Sequence, residues 1–130
     1  GTASDYGLPT LGMAYARGAN LEGDDPEHDA EYLGHAVRLA EECGADVVKT
    51  AYSGDADSFE HVCESTSLPV VIAGGKPEGD RATLDAGAAG VSMGRSIFQH
   101  DDPEAITRAV SAVVHDDADA EDALHAAELL

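Results

Sequence analysis

Four short apolar runs recur along the chain with amphipathic stretches between them: LPTLGMAY (8 to 15), ADVVKT (45 to 50), PVVIAG (69 to 74) and AGVSMG (89 to 94). Each is close to continuously apolar, the pattern of a parallel strand buried on both faces. Parallel neighbours are reached only by a crossover, usually a helix. The expectation is an α/β fold of four consecutive parallel βα units. Asp25-Pro26 is read as the opening of a helix that runs to Cys43 and stops at Gly44. Asp57 with Glu60 three positions on has the form of a capping box, and Asp102-Pro103 opens a helix through about Val114. Residues 119 to 128 form one further short helix in this reading. The connection KPEGDRATLDAG breaks the rhythm, because about eight residues give a helix only about 12 Å long. A stunted helix or a plain loop is expected there.

The totals set bounds on partners. A chain of 130 residues with 43% apolar content suits one domain, residues 1 to 130. Twenty-six acidic against seven basic residues give a net charge of −19, which repels nucleic acid and anionic membrane surfaces. The acids are spread through DDPEHDAE, GDADSFE, HDDPE and HDDADAEDA as a solvated shell, so the composition is not that of a disordered tail. With only two lysines and five arginines, this reads as a cytoplasmic protein of a salt-rich interior, with a merely acidic mesophilic protein as the alternative. No run approaches the roughly 18 apolar residues needed to cross a bilayer, and GTASDYGLP lacks the marks of an export signal.

Two cysteines are too few for a disulfide scaffold and lack zinc-like spacing. Cys43 falls on a stripe with Leu33, Ala36 and Ala40, and Cys63 on one with Phe59 and Val62. They are read as small buried thiols, with a bridge between adjacent helices as the alternative. The six histidines, His28, His35, His61, His100, His115 and His125, accompany acids and are read as solvated.

Three features carry chemistry. The turns AGGK (73 to 76) and MGRS (93 to 96) follow consecutive strands. Glycines there let backbone N–H groups approach a phosphate, and Arg95 adds a two-pronged donor. In (β/α)8 barrels the loops after strands seven and eight are the usual phosphate cradle, so the pair suits those positions. The alternative is that Gly74, Gly75 and Gly94 only make tight turns and Lys76 is a solvated charge. Lys49 ends a β-branched run, where an ammonium is costly unless paired, turned outward or partly neutral. A partly neutral lysine attacks a carbonyl carbon to form a Schiff base, an electron sink for carbon–carbon cleavage or formation. A structural ion pair with Asp46 or Asp55 is the competing reading. Tyr15 ends the preceding run in the same manner, placed to move a proton at a substrate hydroxyl or else to serve as a core or rim tyrosine.

The runs LGMAYARG, ADVVKTAYSGD, LPVVIAGG and AGAAGVSMGRSIFQHDDPEAITRAVSAVVH together closely resemble the archaeal-type class I fructose-bisphosphate aldolases. Those enzymes share a fold and a Schiff-base lysine with the aminodideoxyheptulosonate synthases. The resemblance implies Lys49 as the Schiff-base lysine, Tyr15 as the catalytic tyrosine, and Gly74, Gly75, Gly94 and Arg95 as the cradle for a substrate phosphate. It also implies a sugar-phosphate substrate, no cofactor and no metal. A family barrel takes about 250 residues and eight strands. The expectation is therefore half of a (β/α)8 TIM barrel, strands five to eight, without the first-strand acidic residue of the family. Gly1-Thr2 and the short segment near Gly79 and Asp80 suggest an engineered or truncated fragment. Exposed strand edges and a bare sheet face must pair or be covered, so a homodimer or other homo-oligomer is expected, with an open flavodoxin-like sheet as the alternative. Three functions stay open: aldol cleavage of fructose 1,6-bisphosphate, weak or absent in such a fragment; the synthase reaction; and a non-catalytic half-barrel scaffold for folding, assembly or salt-adaptation study.

Overall fold

A computed structural model describes residues 1–74 and 84–129. Gly75, Lys76 and the short connection around Gly79 and Asp80 lie outside the described residues. The elements are α1 (Thr2–Asp5), β1 (Leu11–Met13), α2 (Ala30–Glu42), β2 (Val47–Thr50), α3 (Ala56–Glu64), β3 (Val70–Ala73), β4 (Gly90–Ser92), α4 (Arg95–Phe98), α5 (Pro103–His115) and α6 (Ala120–Ala126). The four strands form one sheet in the order β1-β2-β3-β4, every pair parallel.

Side chains alternate across this sheet, as the pleat requires. Val48, Thr50, Val70 and Ile72 turn to the side where α2 and α3 lie and are buried with Leu33, Val37, Phe59 and Val62. The other side is open over β1, with Leu11 48% and Met13 69% exposed, while at its far end Val71 and Gly90 line a cavity with Thr107, Val110 and Val114 of α5. The sheet is thus dry on one face only, whereas near-continuous apolar runs predicted burial on both. A second small core joins Ala105, Ala109 and Val113 of α5 to Ala123 and Ala127 of α6.

Helix boundaries follow the caps. Asp29, not Asp25, opens α2, accepting from the N–H groups of Glu31 and Tyr32. Asp25 instead closes a turn, its carbonyl accepting from His28 N at 3.1 Å and its carboxylate meeting His28 Nδ1 at 3.0 Å. Asp55, not Asp57, caps α3. Asp55 has the extended backbone a cap needs and accepts from Ser58 N at 2.9 Å. Asp102 caps α5 as the Asp-Pro pair predicted. Gly44 follows α2 with φ +88°, a left-handed conformation that a side chain would strain. Cys43 is exposed at this helix end rather than buried, because α2 finishes one residue before it. Both cysteines are free thiols, and burial pushes the half-buried Cys63 up to about 11.

Candidate active site

The carboxyl ends of the strands gather the chemistry that the sequence singled out, apart from Gly75. Strand register places Met13, Lys49, Val71 and Gly90 in one row across the sheet. Lys49 lies between the buried Val48 and Thr50, so it leaves the sheet on the side opposite α2 and α3. It is half-buried there among aliphatic neighbours. Neither expected rival partner reaches it. Asp46 accepts from Thr10, from N at 2.7 Å and Oγ1 at 2.9 Å, and these bonds hold its carboxyl below the ordinary range. Asp55 is occupied by Ser58, whose Oγ donates at 2.6 Å. Among the described residues Lys49 forms no ion pair.

Beyond Met13 the chain stays extended, its ladder continued by Ala14 N donating to the Lys49 carbonyl at 2.8 Å. Ala14 and Ala16 are buried, while Leu11, Met13, Tyr15 and Arg17 are on the open side. Tyr15 therefore emerges on the same side as Lys49, about 7 Å further along an adjacent strand. The Arg17 guanidinium carbon stands 5.7 Å from the Tyr15 ring centroid.

The two glycine turns open at the same rim and abut. A Cβ on Gly74 would stand 3.4 Å from Ser96 Oγ and 3.5 Å from Met93 Cα, so the first turn is in contact with the second. Arg95 begins α4 directly after Gly94 and is exposed. No ion pair holds it among the described residues. Ser92 lies opposite Ala73, one layer above the Lys49 row and on the same side of the sheet. Ser92, Ser96 and Arg17 were not singled out from sequence. Counting by twos from Tyr15 reaches Arg17 once the chain is known to run on in extended form, whereas Ser92 needed the strand register and Ser96 the contact between turns.

Among the described residues no group of three or more His, Cys, Asp or Glu side chains is arranged to hold a metal ion. His28, His61 and His125 each meet a nearby carboxylate on the surface. None of the helices described is long and apolar enough to cross a membrane.

An amine and a phenol above one face of a parallel sheet, beside abutting glycine turns at its carboxyl rim, go with a barrel-type α/β protein. The chain belongs to the DeoC/LacD aldolase family, whose pattern matches residues 1–100. It is 60% identical to the 2-amino-3,7-dideoxy-D-threo-hept-6-ulosonate synthase of Halobacterium salinarum, over 98% of this chain and 49% of that protein. It is 42% identical to the 3-hydroxy-5-phosphonooxypentane-2,4-dione thiolase of Yersinia enterocolitica, over 91% of this chain and 40% of that one. Among solved structures it superposes on an archaeal fructose-1,6-bisphosphate aldolase with a TM-score of 0.79 and 28% identity, covering 87% of this chain and 47% of that one. In that structure the catalytic lysine is covalently bound to the carbinolamine intermediate of the substrate. The chain thus spans about half the length of these relatives, or less.

Proposed function

We propose that Lys49 is the Schiff-base residue of a sugar-phosphate aldolase, with Tyr15 as its proton carrier and Gly74, Gly94 and Arg95 as the phosphate cradle. The observation that supports this best is Lys49 on the open face of the sheet, half-buried beside the aliphatic Val47 and Val71 and with no ion pair among the described residues. In the direction of cleavage, the Lys49 amine adds to the C2 carbonyl of fructose 1,6-bisphosphate, and loss of water leaves an iminium. The Tyr15 oxygen takes the C4 hydroxyl proton, the C3–C4 bond breaks, and its electron pair moves into the iminium to give an enamine. Glyceraldehyde 3-phosphate departs. Proton return to C3 and hydrolysis release dihydroxyacetone phosphate and free amine. No metal is required by this sequence of steps.

Borohydride trapping with dihydroxyacetone phosphate, read by mass spectrometry, is expected to add one reduced triose to Lys49 and none to Lys49→Ala. Absence of the adduct from the parent chain overturns the reading. A second substrate choice, the aminodideoxyheptulosonate synthase reaction, is favoured by the 60% identity to the Halobacterium salinarum synthase. Assaying both reactions with the same preparation separates the two. A scaffold with neither activity would give no turnover in either assay. The reading includes self-association, because the edges of β1 and β4 and the apolar side chains of Leu11 and Met13 need covering. A dimer or larger mass in sedimentation is the expected result.

A further inference from the structure

The two outer strands of the sheet share a feature of composition. Acidic residues number twenty-six in 130, yet none occurs in residues 6–21 or 86–100, the two longest acid-free runs of the chain. The first run contains β1 and the second β4, the strands at opposite ends of the order β1-β2-β3-β4. In a protein of net charge −19, a surface that meets a second copy of itself has to be free of acids, because like charges facing one another oppose the contact.

No strand pairs with the outer edge of β1 or of β4 among the described residues. Ala14 N donates to the Lys49 carbonyl on β2, and successive residues of a strand turn their backbone groups to alternate edges, so Leu11 and Met13 offer N–H and C=O outward. Their side chains are exposed as well. Beside β4 lies a cavity of about 600 Å³ that Gly90 and Val91 share with Ile97, Val110 and Val114, and no Asp, Glu, Lys or Arg lines it. One edge thus projects apolar side chains while the other supplies an apolar recess, and β1 and β4 are each three residues long. A second copy, turned about a two-fold axis along the strands, would set its β1 parallel to β4 and its β4 parallel to β1. Two four-stranded sheets then close into a ring of eight with no free edge. The chain covers 47% of the aldolase on which it superposes, the share that half of such a ring would cover.

We infer that a second copy of this chain covers both edges, β1 of each copy pairing with β4 of the other, and that the site is shared across this seam: Tyr15 of one copy faces the Gly94–Arg95 turn of the other. Within one chain these groups follow strands three spacings apart, about 14 Å, and across the seam one spacing, about 5 Å. The inference deepens the self-association proposed above and rests on the aldolase reading for the roles of the residues so assembled. Its test reads mass and proximity, not turnover. In about 2 M KCl, which screens the like charges, sedimentation is expected to give a dimer. Leu11→Glu places an acid on the β1 edge and is expected to weaken that dimer by about tenfold or more. Leu39→Glu, the same change at an exposed position of α2, is expected to leave it within about twofold, so general charge repulsion is separated from an effect at the seam. Both leucines are exposed, and circular dichroism checks the fold of each variant. A photoreactive benzoylphenylalanine in place of Met13, in an equal mixture of light and heavy-nitrogen chains, is expected to link to residues 89–98 or to α5 of the second copy and give mixed-isotope peptides. A monomer at every concentration, equal weakening by the two glutamates, or links that fall within one chain or on other segments overturns the inference. If triose trapping at Lys49 succeeds in a chain without the β1–β4 links, this inference fails alone. If trapping fails while the Leu11-dependent dimer and its links persist, the aldol reading fails and the seam stands.

Discussion

Lys49 and Thr50 are chain neighbours with opposite surroundings. Thr50 is fully buried toward the helices, and its Oγ1 has no hydrogen-bond partner among the described residues. A hydroxyl taken from water without a partner costs about 1–3 kcal/mol. Valine keeps the branched shape and removes the hydroxyl. Thr50→Val is therefore expected to raise the unfolding midpoint, with a gain of about 1 kcal/mol; a lower midpoint in thermal melts would refute the account. Lys49 was legible in sequence because a lysine at the end of ADVVKT contradicts its setting. Arg17 was not, because an arginine in a loop is unremarkable until the strand before it is known to continue in extended form past Tyr15. The cradle was partly legible: the glycines mark the turns, but nothing local indicates that Gly74 touches the Met93–Ser96 turn.

At the scale of elements, the strands were readable to within a few residues, since apolar continuity is a strong signal. Caps were harder, because this chain offers an aspartate at almost every helix start. Asp25 and Asp57 look as suitable as Asp29 and Asp55, and only the backbone angles choose. The chosen caps carry a pH dependence. Hydrogen bonds from Ser58 hold the Asp55 carboxyl below its ordinary value, and bonds from Ser67 and Thr66 do the same for Glu41 at the end of α2. A carboxylate with a depressed folded pKa stabilises fully above its unfolded value, about 4, and the contribution disappears as pH falls through the folded value. Stability is expected to hold from neutral pH to about 5 and to fall below about 4. Asp55→Ala should lower the unfolding midpoint at neutral pH. Asp55→Asn should keep most of the parent midpoint while flattening the acid limb. An acid limb identical in Asp55→Asn and the parent chain would count against this cause.

For the whole molecule, charge dominates. With a net charge of −19 and Arg38 and Arg108 already paired, most carboxylates repel one another through solvent. Salt shortens the range of that repulsion from about 10 Å at 0.1 M to about 3 Å at 1 M. We therefore expect the thermal midpoint to climb steadily as KCl is raised from tenths of a molar to several molar, and a flat or falling midpoint in scanning calorimetry would exclude this account. The bare side of the sheet was the feature least legible in sequence. Leu11, Val47 and Val71 are as apolar as their buried neighbours, and a strand's composition does not record which side a helix covers.

The alternation along Leu11 to Arg17 has a consequence for how this protein tolerates change. Odd positions carry the phenol and the guanidinium, and even positions carry the small groups on which the helices rest. The two sets are locked together by a step of two. Inserting a single residue after Gly12 would exchange them, driving an aromatic ring and a positive charge to the helix side and leaving two methyl groups on the open side. Point changes in this segment cost one role at a time, while a shift of frame forfeits both architecture and chemistry at once.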